Sequence, residues 1–249
     1  MPMHLCGYET SASEAALTAI TPIPDGVVAI QTNDILVPKG MGNIVCAAAM
    51  INSAAATLRA QLISPSLRAI VPVDISPIAN GLVFGSICPL VNYLDTPLPL
   101  VENEPLDALI QNGAAVMNRV FIWFADGAVK PVQGKMYTVR FTASASLVTA
   151  TWANSVITFG TTLPAGNYQV VGMRVWSANG CAARLFFKGS GWRPGVPMAN
   201  TEANNEWPMF RMGNAGVWDQ FNNVTPPSLD VMGVTDSAQT GFMDLIKTS

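Results

Sequence analysis

The clearest pattern in the chain lies in residues 137–147, YTVRFTASASL, where apolar and polar side chains alternate. A period of two places every second side chain on the same face of an extended strand. We therefore predict a strand with one buried and one polar face. The buried face would consist of Tyr137, Val139, Phe141, Ala143, Ala145 and Leu147.

Other segments carry the apolar runs that are typical of buried strands. Residues 167–176 (NYQVVGMRVW) and 181–187 (CAARLFF) flank a short Ser-Ala-Asn-Gly turn and predict a β-hairpin. Residues 114–127 hold the run VFIWF and end on Asp-Gly, which indicates a buried strand followed by a turn. Residues 228–236 and 241–247 predict two final strands.

The first half repeats this style in shorter segments separated by Pro, Gly and Asn. These segments are TNDILVPKG, NIVCAAAMI, TLRAQLI, LRAIVPVDI and GLVFGSI. Their spacing of about 8–12 residues favours a sandwich or barrel over alternating strands and helices. Two short helices are also predicted, with irregular structure as the alternative for both. One follows a capping-box spacing at Ser11 and Glu14, and the other runs from Pro105 to a stop at Gly113.

These elements together predict an all-β chain with one or two short helices and long loops. A break at residues 125–135 divides it into residues 1–127 and 128–249, each near the size of one eight-stranded sandwich. Residues 188–229 differ, because they combine prolines, glycines and asparagines with large aromatic side chains. We interpret them as a long ordered loop that packs on the sandwich or on a neighbouring subunit.

Charge is scarce: 12% of the residues are charged, against a usual share of about 25%, and the net charge is −3. The basic residues are scattered, which argues against a protein that coats nucleic-acid phosphates. Residues 1–125 carry a net charge of −5 and residues 126–249 one of +2, which favours contact between halves or subunits. Arginines within predicted strands must face solvent, a carboxylate or another subunit. They are Arg68, Arg119, Arg140, Arg174 and Arg184.

The cysteines and the N-terminal residues indicate in which cellular compartment the protein is expected. Cys6, Cys46, Cys88 and Cys181 are widely spaced without a CxxC pair, so we expect buried free thiols and no disulfide framework. The N-terminal residues lack the basic and apolar regions of a secretory signal, and we expect no export by that route. The most apolar window, residues 44–58, is shorter than the ~18–20 residues that span a bilayer.

The sequence offers few groups for catalysis. Its one histidine, His4, leaves no histidine-based triad or multi-histidine metal site. No nucleophile-elbow or phosphate-loop motif occurs. Glu202 and Glu206 beside Trp207 are the best candidates for the carboxylate pair of a glycosidase, with solvated loop charges as the favoured alternative. We therefore predict no catalytic, cofactor or metal site and do not expect an enzyme.

Glu102, Glu104 and Asp107 form the densest acidic cluster. Oxygen-rich loops can bind Ca²⁺, but these residues lack the spacing of an EF-hand loop. The alternative is a solvated loop, or a helix N-terminus that acidic groups stabilise. The sequence leaves both interpretations open and favours the second.

The large aromatic residues of the 188–229 loop are the most specific feature of the second half. Tryptophans in such a loop can stack on sugar rings, but aromatic anchors with few charges are also what protein interfaces use. We favour the interface. The candidate subunit-contact residues are Trp192, Trp207, Phe210, Trp218 and Phe221.

The layout of the chain resembles the double jelly-roll major capsid proteins of tailless icosahedral, lipid-containing bacteriophages. The segments that prompt this are RVFIWFADG, YTVRFTASASL, LPAGNYQVVGMRVW, CAARLFFKG, WRPG and PPSLDVMGV. The resemblance covers nearly the whole chain and concerns layout, with no catalytic or binding signature. It implies two eight-stranded jelly-roll β-sandwiches in tandem, with three copies forming a pseudo-hexagonal capsomer.

The same resemblance implies a structural virion protein that is made in the host cytoplasm and self-assembles as homotrimers into an icosahedral capsid. Its partners would be copies of itself, other capsid or vertex proteins and an internal membrane, without direct sequence-specific binding to nucleic acid. The alternative is a carbohydrate-binding or adhesive β-sandwich from a fibre, spike or cell surface. In that case the tryptophans of the loop would hold the glycan.

Overall fold

The computed structural model describes residues 3–51, 58–68, 73–75, 78–79, 90–200, 207–234 and 238–249. The chain divides into two units, Leu5–Ala128 and Val129–Ser249, and the first four residues group with the latter. The predicted division into 1–127 and 128–249 falls one residue from this boundary. That each half is an independent domain stays a prediction. Within the described ranges, no helix has both the length and the apolar composition to cross a membrane.

The first unit is built from short antiparallel strands. Its elements in chain order are β1 (Met3–Thr10), β2 (Thr18–Ala19), β3 (Thr21–Pro22), β4 (Ile30–Gln31), β5 (Asp34–Leu36), β6 (Asn43–Ile51), β7 (Leu58–Ile63), α1 (Pro65–Arg68), β8 (Val73–Ile75), β9 (Ile78–Ala79), β10 (Leu90–Asn92), β11 (Leu98–Pro99), β12 (Pro105–Asn112) and β13 (Asn118–Ala125).

The second unit has fewer and longer strands. They are β14 (Met136–Ala143), β15 (Ala153–Val156), β16 (Thr158–Phe159), β17 (Asn167–Trp176), β18 (Gly180–Phe186), β19 (Gly195–Pro197), β20 (Asp219–Asn222), β21 (Ser228–Gly233) and β22 (Gln239–Lys247). Residues 188–229, predicted as one long loop, are instead divided by strands β19 and β20 and by a 3-10 turn at Pro208–Phe210. We call this segment the aromatic loop.

Both units have the same strand order. Taken in chain order, the eight principal strands of the first unit are β1, β5, β6, β7, β8, β10, β12 and β13. One sheet has the order β10-β6-β13-β1, which are the sixth, third, eighth and first of these strands. The other has the order β5-β12-β7-β8, which are the second, seventh, fourth and fifth. In the second unit, β14, β15, β17, β18, β19, β20, β21 and β22 pair in the same two orders. This is jelly-roll connectivity, so the predicted fold of two tandem jelly rolls is confirmed.

Tyr8 links the two sheets of the first jelly roll across its core. The Tyr8 hydroxyl on β1 donates to the carbonyl oxygen of Leu106 on β12. It also accepts from the backbone N–H of Ile35 on β5, at 3.2 Å. Burial raises the pKa of Tyr8 well above its usual value, because the phenolate would lose its hydration. The hydroxyl therefore stays protonated and keeps its donor role.

The alanine-rich segment forms a central strand. On β6, Ala48 lies opposite Phe121 of β13, and Ala47 lies opposite Ile122. Small side chains beside large ones let neighbouring strands pack without voids. Every residue of β13 is buried, which explains why this run shows no alternation of polar and apolar positions.

The alternating pattern of β14 is confirmed by its burial. Val139, Phe141 and Ala143 are buried, and the residues between them are exposed. Beyond the end of the strand the backbone N–H of Ala145 donates to the Gln239 side chain at 2.7 Å, and Ala145 stays buried. Tyr137, predicted to be buried, is 42% exposed because it lies at the start of the strand, at the edge of the core.

Both predicted helices are wrong. Residues 105–112 form strand β12, with Leu106, Ala108 and Ile110 buried in alternation. The turn signals at Pro105 and Gly113 suit either type of element, and the period of two decides for the strand. At residues 11–17 the backbone is irregular, which is the alternative given above for that helix, and the Glu14 N–H, which a Ser11 cap would bind, donates to the Asn112 side chain at 2.7 Å.

The described cysteines, Cys6, Cys46 and Cys181, are free and buried, as predicted. Burial raises the pKa of the Cys46 thiol to about 12. Cys88 lies outside the described residues, and so does the strand predicted at 81–87.

Two of the strand arginines face carboxylates. Arg119 pairs with Glu9 at 2.6 Å, and Arg184 pairs with Asp230 at 3.2 Å. The prediction that a strand arginine must find solvent, an acid or a neighbour holds for both. Arg68 was predicted within a strand but is the last residue of helix α1, and its side chain lies outside the described residues.

Candidate functional site

The aromatic loop of the second jelly roll directs most of its large side chains inward. Phe210, Trp218, Phe221 and Trp207 are 1%, 4%, 7% and 8% exposed, whereas Trp192 is half-buried. The described part of this loop is therefore ordered by intrachain packing, as its composition predicted. Contact between these residues and a neighbouring subunit stays a prediction, for which Trp192 has the most accessible side chain of the five.

Phe221 joins three strands of one sheet. Its ring stacks on Tyr168 of β17 with a centroid distance of 5.7 Å and on Phe159 of β16 at 6.1 Å. The Tyr168 hydroxyl donates to the carbonyl oxygen of Pro164 at 2.7 Å. Strand β20, which carries Phe221, is thus held to the sheet by ring packing as well as by its backbone hydrogen bonds.

The backbones of Trp207 and Trp218 help to anchor the part of the loop that contains the 3-10 turn. Trp207 adopts a left-handed backbone conformation (φ 45°, ψ 65°), and its carbonyl oxygen accepts from the N–H of Phe210 at 2.9 Å. Such a conformation costs a non-glycine residue energy and persists only where packing fixes it. Trp218 is anchored through its backbone N–H, which donates to the Val170 carbonyl at 2.9 Å. The loop is therefore tied directly to β17.

A buried carboxylate attaches the loop to the outer face of the sheet. Both oxygens of Asp244, on β22, accept from Arg211, at 2.6 and 2.9 Å. The backbone N–H of Met212 and the hydroxyl of Thr138 donate to the same carboxylate, at 2.9 and 2.8 Å. Gly172 on β17 leaves the space for this contact, because a Cβ there would lie 2.8 Å from the carbonyl oxygen of Phe210.

Opposing effects act on the pKa of Asp244. Burial raises it, because the charged form loses hydration, and the hydrogen bonds from Arg211, Met212 and Thr138 lower it. The hydrogen bonds and the charge of Arg211 outweigh the burial, so the pKa lies below its usual value. The carboxylate is ionised at neutral pH and holds the loop through charge-assisted hydrogen bonds.

A second carboxylate organises the other sheet. Asp230 on β21 lies 3.2 Å from the Nε atom of Arg184 and accepts from the Asn154 amide at 2.6 Å. The Nε atom of Arg193 lies 4.0 Å away. The guanidinium of Arg184 also lies 4.0 Å from the ring centroid of Trp152. This cluster holds strands β15, β18 and β21 and the loop after β18 in one arrangement.

No pattern in the sequence indicates that His4 has a structural role. Its side chain is fully buried, and its Nδ1 atom accepts from the backbone N–H of Arg193 at 3.2 Å. The rings of His4 and Trp192 meet edge to face with centroids 6.1 Å apart. Because these partners lie nearly 190 positions away in the chain, no local pattern predicts the contact.

The acidic residues proposed for a cation do not gather around one point. Glu102 accepts from the backbone N–H of Gly40 at 2.7 Å, whereas Glu104 accepts from the hydroxyl of Ser66 at 2.8 Å. Among the described residues, no group of three or more His, Cys, Asp and Glu side chains is arranged to hold a metal ion. Glu202 and Glu206, the glycosidase candidates, lie outside the described residues.

Two cavities of ligand size occur in the described part of the second jelly roll. One, of about 310 Å³, is lined mainly by amide and hydroxyl side chains. These are Asn167, Gln220, Asn222, Thr225 and Thr248. The other, of about 450 Å³, is more apolar and opens beside Tyr137 and Lys247. No carboxylate or histidine of the described residues lines either cavity, so neither offers an acid and base pair.

Comparisons with known proteins add little to this geometry. The chain matches no protein-family model, and no curated protein shows significant similarity to its sequence. Among solved structures it is similar to the STIV MCP, a major capsid protein, over 99% of this chain and 97% of that chain. The sequence identity is 8% and the TM-score is 0.25, which is too weak to bear on fold or function. The jelly-roll assignment rests on the strand order of the chain itself.

Proposed function

We propose that this chain is a structural subunit of a viral capsid. The observation that carries the proposal is the tandem of two jelly rolls with the same strand order in one chain. Jelly rolls are widely used as shell subunits, although fold alone never fixes function. The resemblance in sequence layout to double jelly-roll capsid proteins points to the same role.

The composition of the chain favours an assembled protein over a stable monomer. Only 12% of the residues are charged, and 50% are hydrophobic. A surface so poor in charge resists association weakly, and large permanent interfaces bury apolar area that a single domain leaves exposed. Three copies of a chain with two similar jelly rolls supply six similar units, which suits a pseudo-hexagonal capsomer. The proposed subunit is therefore a homotrimer in the shell of a bacteriophage.

The proposed function is geometric rather than chemical. Repeated heterologous contacts between subunits would close the shell, and many modest contacts would sum to a stable particle. The scattered basic residues argue for partners other than the genome. The proposed partners are further copies of the chain, other capsid or vertex proteins and an internal membrane, and the proposed location is the virion after synthesis in the host cytoplasm.

The native mass tests this proposal. Size-exclusion chromatography with light scattering, followed by electron microscopy of the large fractions, should find trimers that grow into sheets or closed shells. Trp192→Ala, which changes the half-buried aromatic residue of the loop, should weaken this growth while the fold persists. A chain that remains monomeric at every concentration would overturn the capsid proposal.

One observation favours a second candidate, a carbohydrate-binding module. The cavity of about 310 Å³ is lined by amides and hydroxyls, which are groups that bind neutral sugars. Against it, two of the three tryptophans expected to stack on the glycan are buried. A glycan array with the wild-type protein and Asn222→Ala separates the two candidates. Binding that the substitution abolishes, in a protein that does not assemble, would replace the capsid proposal.

A further inference from the structure

Three neighbouring strands of the second jelly roll present a regular grid of side chains on the outer face of their sheet. Residues 138, 140 and 142 of β14 lie opposite residues 244, 242 and 240 of β22. On the other side of β22, residues 244, 242 and 240 lie opposite Gly172, Arg174 and Trp176 of β17, respectively. Cross-strand neighbours on one face contact each other, so each row acts as a unit.

The rows differ in what covers them. The row with Asp244 lies beneath Arg211 and Met212 of the aromatic loop, and Asp244 is fully buried. Among the described residues, those of the next two rows are more accessible than Asp244. Arg140 is exposed, and Phe242, Arg174 and Trp176 are half-buried. The outer face of this sheet therefore ends in an accessible patch, which we call the arginine–aromatic patch and define as Arg140, Arg174, Trp176 and Phe242.

Cation–π contacts hold the patch together. The guanidinium of Arg174 lies 5.2 Å from the ring centroid of Phe242 and 5.4 Å from that of Trp176. The guanidinium of Arg140 lies 5.8 Å from the same Trp176 ring. The two rings are 5.5 Å apart. Together these contacts restrict the movement of both arginine side chains.

Arg174 has hydrogen-bonding capacity to spare. Its Nε atom is buried and has no hydrogen-bond partner. Arg119, Arg184 and Arg211 each pair with a carboxylate, whereas no ion pair within the described residues includes Arg174. A carboxylate from a partner that binds the rest of this half-buried guanidinium would give Arg174 the counter-charge that the described residues do not supply.

The first jelly roll carries a surface of complementary character. Asp95 and Glu102 are exposed in the segment between β10 and β12, and Val101, next to Glu102 in the chain, is 64% exposed. The Gly40 N–H donates to the Glu102 carboxylate at 2.7 Å. Residues 1–125 as a whole carry a net charge of −5, against +2 for residues 126–249. A segment that carries two acids and an exposed apolar side chain suits a patch of two rings and two arginines.

We propose that the arginine–aromatic patch of one copy binds the Asp95–Glu102 segment of a second copy. The contact joins two different surfaces, so it is heterologous and closes into a ring when the rotation between copies allows it. Aromatic and arginine side chains dominate the binding energy of protein interfaces, which is the composition of this patch. This inference rests on the proposed capsid function and names one of its contacts.

Charge reversal on the exposed arginine tests the contact. Arg140→Glu should raise the protein concentration needed for half-assembly about tenfold or more, because it places like charges across the interface. Lys188→Glu makes the same change in charge at another exposed position of the second jelly roll and should assemble like the wild type. Thermal unfolding of both variants confirms that the fold persists, since neither side chain is buried.

A compensating change identifies the partner surface. Asp95→Arg with Glu102→Arg should weaken assembly alone and restore it when combined with Arg140→Glu and Arg174→Glu, which reverse both charges of the patch. Wild-type assembly by folded Arg140→Glu would overturn the inference and leave the capsid proposal standing. If Arg140→Glu loses assembly and the combined variant does not restore it, the patch binds another partner, and the inference is overturned as well. A wild-type chain that never assembles would overturn the capsid proposal itself.

Discussion

The carboxylate of Asp244 offers the sharpest test of how the aromatic loop is held. Asp244→Asn keeps the shape of the side chain, removes its charge and turns one acceptor oxygen into a donor. That amide then faces the donors of Arg211 and Met212, which lie 2.6–2.9 Å from the carboxylate oxygens. Donors that face donors lose their hydrogen bonds, and the guanidinium loses its counter-charge.

The size of the effect follows from burial. Breaking a buried ion pair by removing one partner costs about 3–5 kcal/mol. The Asp244 side chain is fully buried, but that of Arg211 is 19% exposed, so water can hydrate the guanidinium in the variant. We therefore expect the free energy of unfolding to fall by about 3 kcal/mol. At about 2–4 °C per kcal/mol, the melting temperature should fall by about 6–12 °C.

A matched control is available in the first jelly roll. Asp74 also has a lowered pKa, caused by a hydrogen bond from Gln61 and by Arg59, but the side chains of the Arg59–Asp74 pair are 53% and 54% exposed. Exposed pairs contribute less than about 1 kcal/mol, so Asp74→Asn should change little. Urea unfolding of both variants at one protein concentration measures the difference. Equal losses for the two variants would refute the assignment of the stabilisation to burial.

The pH dependence gives a second check on the same residue. Because the pKa of Asp244 is lowered in the folded state, its stabilisation is present above the unfolded value of about 3.9 and is lost as the pH falls through the folded value. The difference between wild type and Asp244→Asn should therefore be constant from about pH 5 to 7 and shrink below about pH 4. A difference that grows on acidification would contradict the sign of this pKa shift.

Two further predictions follow from close packing. Gly172→Ala should melt at a lower temperature and expose the loop to limited proteolysis, because the new Cβ would lie 2.7–2.9 Å from Asp244, Phe210 and Arg211; Gly191→Ala, with nothing within 4 Å, should be near neutral. Cys6, Cys46 and Cys181 should resist a thiol reagent at pH 8 in the native protein and react after unfolding, since all three are buried and the pKa of Cys46 is about 12. Rapid native labelling, read by mass spectrometry, would show that these thiols are accessible.

Periodicity predicted the strands well where one face of a strand is wet. The alternation in residues 137–147 marks β14, whereas the apolar runs at 43–51 and 167–176 coincide with the largely buried strands β6 and β17. The prediction was wrong at β12, where proline and glycine at the two ends suggested a helix although the apolar side chains of this strand alternate. End signals describe where an element stops, whereas the period of its side chains decides which element it is.

The direction of the aromatic side chains was beyond local reasoning. Trp207, Phe210, Trp218 and Phe221 were predicted to lie in an ordered loop; all four are buried, but Phe221 lies on strand β20. Whether such residues point inward or toward a neighbour depends on the surface beneath the loop. Here Gly172 and Asp244 create a place for the loop on the sheet, and the latter lies 33 positions from its partner Arg211.

The sequence by itself therefore determined the all-β class, the two halves and most strands, because these follow from composition and from side-chain period over a few residues. Only the tertiary structure decided the strand order, the burial of His4 and the grid that places Arg140 and Arg174 on either side of Phe242. These features join residues that are distant in the chain. Their free energy comes from contacts that exist only after the sheets have formed, so no local pattern encodes them.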